Sequence, residues 1–235
     1  MKVFVVIPAY NEESRIAEVI LSVHKFCSNI IVVDDGSFDA TGSVALQEGA
    51  IVVRHIINRG QGAALQTGIQ YALAQGGECI VSFDADGQHR AEDIPRLISA
   101  IASGEAEVVL GSRFKNPAEG DGGVYAALRG SMPRGRRIAL KLGLFHQWIF
   151  SGLKVTDAQC GLRAFSRRAA ETIVISQDRM AHSSEILDKI ARYHLRFVEV
   201  PVSVLYTPYS LRKGQKSISG SARILIDFFI GRFVK

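Results

Sequence analysis

The sequence predicts an α/β protein, a mostly parallel central sheet with helices on both faces. Apolar runs too short for helices recur along the first half, and segments of helical apolar spacing separate them, which is the pattern of successive βα units. The composition agrees. The chain has 235 residues, 47% hydrophobic and 22% charged, with 22 Gly and 6 Pro, which suits one large globular domain and excludes disorder or a collagen-like repeat.

The elements follow in order. Met1 to Ile7 could imitate a signal peptide, but Pro8-Ala9-Tyr10-Asn11-Glu12-Glu13 stands where a small-residue cleavage site belongs, so Val3 to Ile7 is a buried strand. An amphipathic helix spans Glu12 to Phe26. Ile30 to Val33 is the second strand, with a short helix after Asp39, and Ile51 to Val53 is the third, with a helix from Gly62 to Ala74. Cys79 to Phe83 is the fourth, followed by a helix from Glu92 to Ala102, and Val108 to Leu110 is the fifth. From Lys115 to Arg137 the pattern gives way to a Gly- and Arg-rich loop. Beyond it, Ile138 to Phe150 is helical, Ala164 to Phe165 a short strand and Ser183 to Tyr193 a helix. Phe197 to Leu205 is a strand whose Pro201 puts it at a sheet edge. No apolar run reaches the roughly 18 residues of a membrane-spanning helix, and neither an internal repeat nor an interdomain linker is present.

In open α/β sheets ligands bind beyond the carboxyl ends of the strands. Two acidic pairs stand there: Asp34-Asp35-Gly36-Ser37 after the second run and Asp84-Ala85-Asp86-Gly87-Gln88 after the fourth. Carboxylates spaced D-x-D suit a hard divalent cofactor, Mg²⁺ or Mn²⁺, which takes oxygen ligands and completes its shell with substrate phosphate and water. Such an ion can stabilise a departing pyrophosphate. A lone D-x-D is as well explained by helix or turn capping; a second pair at a neighbouring strand end favours the metal. A dinucleotide enzyme is disfavoured, because the first strand–helix turn, Pro8 to Glu12, holds no glycine. A Mg²⁺-dependent phosphatase with Asp84 as nucleophile is a weaker rival. Asp84-Ala85-Asp86-Gly87 resembles the haloacid dehalogenase strand end, but Gln88 replaces its Thr and the motif lies on the fourth strand.

Five segments occur in register: Val6 to Glu12, Val33 to Ser37, Asn58-Arg59-Gly60, Asp84 to Gln88, and Gly111-Ser112-Arg113-Phe114. Together they resemble the inverting family-two glycosyltransferases, and among them the dolichyl- or polyprenyl-phosphate mannosyl- and glucosyltransferases. Thr156 to Phe165 extends the likeness. The resemblance implies a GT-A fold over 1–215, with a donor half to about 114 and an acceptor half beyond it, and a nucleotide-sugar donor of the GDP-mannose or UDP-glucose class. It implies a donor site of Pro8, Tyr10, Glu12, Asp34, Asp35, Asp84, Ala85, Asp86 and Gln88, with Asp84 and Asp86 on the metal and pyrophosphate. A tyrosine face can wall off a base, and a carboxylate can accept hydrogen bonds from base or ribose.

A lipid phosphate acceptor is already an anion, so it can attack the anomeric carbon without a general base but needs cations to hold it. By resemblance Arg113 and one Arg of the 134–137 cluster, Arg137, fill that role; guanidinium binds phosphate oxygens bidentately. A saccharide hydroxyl acceptor would need a base, for which Glu185 is the candidate, although it equally suits a helix N-terminus. Related enzymes close a basic loop over the donor diphosphate, and here Arg212, Lys213 and Lys216 stand in that region as alternative contacts, with Lys216 departing from the usual spacing. Of the six histidines none has metal-binding spacing, and His89 and His146 are candidates to approach the acceptor.

Residues 216–235 form an amphipathic C-terminal helix that can pack on the domain, lie in a membrane interface or form a homodimer. The net charge of +5 favours anionic partners. The expected partners are the nucleotide sugar and a lipid phosphate rather than nucleic acid, on the cytoplasmic membrane face. Cys27, Cys79 and Cys160 form no C-x-x-C pair, which argues against a disulfide framework or zinc site and for a reducing compartment.

Overall fold

The computed structural model describes residues 1–115, 148 and 152–205. Seven strands form one sheet: β1 Val3–Ala9, β2 Ile30–Asp34, β3 Ile51–Arg54, β4 Cys79–Ser82, β5 Val108–Ser112, β6 Arg163–Ser166 and β7 Phe197–Pro201. The helices are α1 Glu13–His24, α2 Thr41–Gln47, α3 Gln61–Ala74, α4 Ile94–Ala102, α5 Arg167–Thr172 and α6 His182–Arg192, with a 3₁₀ turn at Ala91–Asp93. The strand order is β3-β2-β1-β4-β6-β5-β7. All pairings are parallel except those of β6, which runs antiparallel to β4 and β5. The predicted α/β class and edge position of Phe197 to Pro201 hold. The antiparallel insertion of β6 is a tertiary feature that local periodicity does not carry.

Strand side chains alternate between two apolar layers, as a period of two requires. Val5, Ile7, Val32 and Val81 pack with α1 and α4, and Phe4, Val6, Ile31, Val33 and Ile80 pack with α3, α5 and α6. With both faces covered, strands must be apolar at every position, and β2, β4 and β5 are buried throughout. Each fully buried Val, Ile or Phe contributes about 1.5–3 kcal/mol against remaining in water. The helices supply matching stripes, as in Ile16, Val19, Ile20 and Val23 of α1. On α3 the stripe is replaced at Gly68, where a Cβ would run into Val6 Cγ1 and lie 3.1 Å from Val33 Cγ2; the helix backbone rests directly on these valine side chains.

Proline moves two element boundaries from their predicted places. The helix expected from Glu92 opens as a 3₁₀ turn and becomes α-helical at Ile94, because Pro95 fits only the donor-free first turn. The strand expected to reach Leu205 stops at Pro201. Val202 still donates to Ser112 O at 3.1 Å, but Ser203 N turns to Asp93 Oδ2 at 2.8 Å. No helix among the described residues is long and apolar enough to cross a membrane. The expected helices at 138–150 and 216–235 lie outside the described residues.

Candidate active site

The β1–β4 ladder ends at Val6↔Ser82, with one further bond from Phe83 N to Val6 O (2.9 Å), while β1 continues to Ala9 beside β2. Pro8, which has no N–H, falls where the next rung is due, so the proline costs no ladder bond. Beyond that point the carboxyl ends of β1, β2 and β4 present Tyr10, Asp35 and Asp84.

Asn11, at φ 52°, turns the chain out of β1. Asparagine tolerates this left-handed conformation, and it ties two loops together: its N–H donates to Ser37 Oγ (3.0 Å) and its Oδ1 accepts from Phe38 N (3.0 Å). The Tyr10 ring is 37% exposed and meets Phe38 edge-on with centroids 6.5 Å apart. It is available to wall a planar ligand. Glu12 is buried, and its N–H donates to Thr41 Oγ1 at 2.8 Å.

The two aspartates at the end of β2 divide their tasks. Asp35 Oδ1 accepts from His55 Nδ1 (2.7 Å) and Arg59 N (3.0 Å), and Oδ2 accepts from Gly60 N (2.6 Å). His55 Nε2 in turn meets Thr67 Oγ1 at 2.9 Å. Asp35 therefore pins the β3–α3 loop against the β2 end. Asp34 is 1% exposed and faces inward: Oδ1 accepts from Ser37 N (2.9 Å), while Oδ2 has no hydrogen-bond partner, with Arg54 Nε at 3.4 Å and Gly42 beneath it. As folded, Asp34, expected at the donor site, shapes the turn from within.

At the end of β4, Asp84 is held on both oxygens. Gln61 Nε2, from the first residue of α3, donates to Oδ1 at 2.8 Å, and His89 Nε2 lies 3.1 Å from Oδ2. Asp86 accepts from Gln88 twice, from its N–H at 3.0 Å to Oδ1 and from its side-chain amide to Oδ2. Ala85 between them is buried. Burial works against the charge on Asp84, but the His89 hydrogen bond and charge, with the fields of His182 and Arg163, outweigh it and hold the carboxyl below its ordinary range. Burial and the neighbouring charge of Asp84 push Asp86 above its own. Two crowded carboxylates of this kind need a cation to ionise together. Among the described residues no cluster of three or more His, Cys, Asp or Glu could hold a metal. The carboxylates of Asp84 and Asp86 are oxygen donors of the kind that Mg²⁺ or Mn²⁺ takes.

The expected cation Arg113, at the end of β5, is already engaged. Its Nε and Nη2 grip Asp157 Oδ2 and Oδ1 at 2.6 and 2.7 Å, and its N–H lies 3.2 Å from Oδ2. The Asp157 side chain is fully buried. Burial opposes its charge, but Arg113 and the backbone donors prevail and hold it below the usual carboxylate range. Glu185 likewise proves to be an anchor. Its carboxylate accepts from Ser176 N at 3.0 Å, Gln177 N at 2.8 Å and the Ser176 hydroxyl, and pairs with Lys189 Nζ at 2.8 Å. Burial opposes its charge too, but the Lys189, Ser176 and Gln177 bonds outweigh it and lower its proton affinity, the reverse of what a base needs. As folded, Glu185 anchors the 176–177 backbone to α6. Arg137, Arg212 and Lys213 lie outside the described residues.

Sequence reasoning missed Gln61, His89 and Gly161 as supports of Asp84. Gln61 carries no charge to mark it, and nothing local connects residue 84 with Gly161, where an added Cβ would meet the Asp84 carboxylate.

The parallel sheet with one antiparallel insertion and acidic strand ends is that of a GT-A glycosyltransferase. The chain belongs to glycosyl transferase family 2, whose sequence profile matches residues 4–174. It is 36% identical to the UDP-N-acetylglucosamine–dolichyl-phosphate N-acetylglucosaminyltransferase of Methanococcus voltae, over 93% of this chain and 91% of that protein. It is 29% identical to the undecaprenyl-phosphate mannosyltransferase of Micrococcus luteus, over 94% and 91% respectively. In fold it resembles the glucosyl-3-phosphoglycerate synthase of Mycobacterium tuberculosis, solved with Mn²⁺, UDP and glucosyl-3-phosphoglycerate, at a TM-score of 0.66 and 22% identity, covering 98% of this chain and 79% of that one.

Proposed function

We propose that this glycosyltransferase moves a hexose, with inversion, from a nucleotide diphosphate sugar to a polyprenyl phosphate, and that Asp84 and Asp86 hold the Mg²⁺ or Mn²⁺ it uses. The observation that carries the reading is the pair itself: two half-buried carboxylates with opposed proton affinities, each fixed by hydrogen bonds, at the end of β4. A divalent ion bound there supplies positive charge to a diphosphate as it leaves. Tyr10 walls the base.

The acceptor class follows from which acids are spent. Asp157 is locked to Arg113, and Glu185 to Lys189 and the 176–177 backbone. Neither is a base for a sugar hydroxyl, whereas a lipid phosphate needs none. The lipid-phosphate transferases among the relatives support the same acceptor. Because Arg113 is committed to Asp157, the grip on the acceptor phosphate falls to the Arg134–Arg137 cluster, Arg137 first. Arg212 and Lys213 are proposed for the donor diphosphate. A lipid acceptor places the protein at a membrane surface. The phosphatase reading is set aside, since the family is one of transferases.

Calorimetric binding of UDP-glucose, GDP-mannose and UDP-N-acetylglucosamine, each with Mn²⁺ and with chelator, tests the donor side. One donor should bind only with metal, and Asp86→Asn should abolish that dependence while leaving the protein folded. Transfer of labelled sugar to a polyprenyl phosphate tests the acceptor. Failure of every donor to bind a folded protein would overturn the reading.

A further inference from the structure

Asp84 Oδ2 is held by His89, a residue that the sequence offers only as a candidate to approach the acceptor. The His89 ring is 5% exposed and packs edge-on to Phe83, with centroids 5.9 Å apart. Its backbone is fixed as well, by a bridge to Val204 and by the bond from Leu205 N to Gln88 O at 2.8 Å. Among the described residues the ring makes one polar contact, Nε2 to Asp84 Oδ2 at 3.1 Å, and its buried Nδ1 has no partner. An orphaned buried ring nitrogen is unfavourable in an interior. Leucine or phenylalanine would fill the same apolar slot without that cost, so packing alone does not account for a histidine here.

From this geometry we infer that His89 is a positioning residue of the metal centre. Because its partner is a carboxylate, Nε2 carries the hydrogen and donates it. With Gln61 on the other oxygen, the bond fixes the rotation of the Asp84 carboxylate and leaves the remaining lone pairs of both oxygens directed away from the two donors, where they could take a cation. His89 does not itself touch the metal or the donor. It acts as outer partners of metal ligands do, by orienting a ligand before the ion arrives, and loss of such partners typically costs about 10–100-fold in metal affinity. The inference rests on the proposed metal role of Asp84 and names one more residue behind it.

The test is calorimetric titration of Mn²⁺ into the full chain in the presence of UDP or GDP, whichever the wild type binds, with a thermal melt of each variant. His89→Phe keeps bulk and removes the donor; His89→Gln places an amide Nε2 near the position of the imidazole Nε2. The expected result is Mn²⁺ affinity about 10–100-fold weaker in His89→Phe and mostly restored in His89→Gln, irrespective of the order of the two melting temperatures. Unchanged affinity in His89→Phe would overturn the inference. So would equal losses in both variants that track their melting temperatures, which is the signature of packing. If wild-type protein took up no Mn²⁺ with either nucleotide, the proposed metal site itself would fall, and His89 with it, a result distinct from a wild type that binds and a variant that is indifferent.

Discussion

Gly161, at the turn into β6, lies hard against the Asp84 carboxylate: a Cβ at residue 161 would sit 2.6 Å from both Cγ and Oδ1 of Asp84. Its backbone needs no left-handed φ, so the glycine is required by what lies beside it. An alanine would have to push the carboxylate about 1 Å to reach ordinary contact distance. Asp84 is not free to yield, because Gln61 and His89 hold its two oxygens. Gly161→Ala is therefore expected to weaken metal-dependent donor binding by about 10-fold or more, with far-UV circular dichroism unchanged. Calorimetry with and without chelator checks it; a variant that binds donor as tightly as wild type would show that Asp84 tolerates displacement.

The Arg113–Asp157 pair makes a prediction that separates a structural guanidinium from one that serves substrate. Truncating one partner of a buried pair leaves the other charge uncompensated, typically at about 3–5 kcal/mol. Arg113→Ala should lower the urea midpoint accordingly, with little change in the denaturant slope. If Arg113 existed only to hold an acceptor phosphate, the same change would leave stability intact and raise the apparent KM for the lipid alone.

What could be read before the structure follows a physical line. The strands and their helices were legible because burial on both sheet faces writes a local signal, as in Ile30-Ile31-Val32-Val33. The acids at the ends of β2 and β4 were legible because topology fixes where strand ends lie. The partners of those acids were not. Asp157 is 44 residues from Arg113 and Gln61 is 23 from Asp84, and a sequence displays charges without displaying which of them are spent. Arg113 and Glu185 were thus chosen as reactive groups for their charge, and each turned out to be paired, whereas Gln61 and Gly161, with no charge to attract notice, shape the site.

All three cysteines are free and buried. Burial pushes Cys79 and Cys160 up to about 12, and since the thiolate is the nucleophile, native protein should resist iodoacetamide at pH 8 while the urea-unfolded chain takes up three labels. Intact-mass spectrometry distinguishes the two. Rapid native labelling at one site would mean that the layer covering it opens readily.

His182, the first residue of α6, gives the fold a defined weakness to acid. Burial foremost, then the charge of Arg163, lowers its pKa from 6.5 to about 4, and its Nδ1 bonds Arg179 O at 2.8 Å. The folded protein therefore keeps this histidine neutral, while the unfolded chain takes up a proton below pH 6.5. Stability from this residue is fully present above that value and is lost as pH falls from 6.5 toward 4, because the unfolded state binds the proton first. Between pH 7.5 and 5 the loss amounts to about 2 kcal/mol. His182→Asn retains an amide donor near the Nδ1 position and cannot be protonated. The variant is expected to start less stable through lost packing, yet to fall off less steeply, so that the difference between the two unfolding free energies shrinks by about 2 kcal/mol over that range. Urea titrations at the two pH values measure it directly. Parallel losses in wild type and variant would place the acid sensitivity elsewhere, with the paired carboxylates of Asp84 and Asp157 as the next groups to replace.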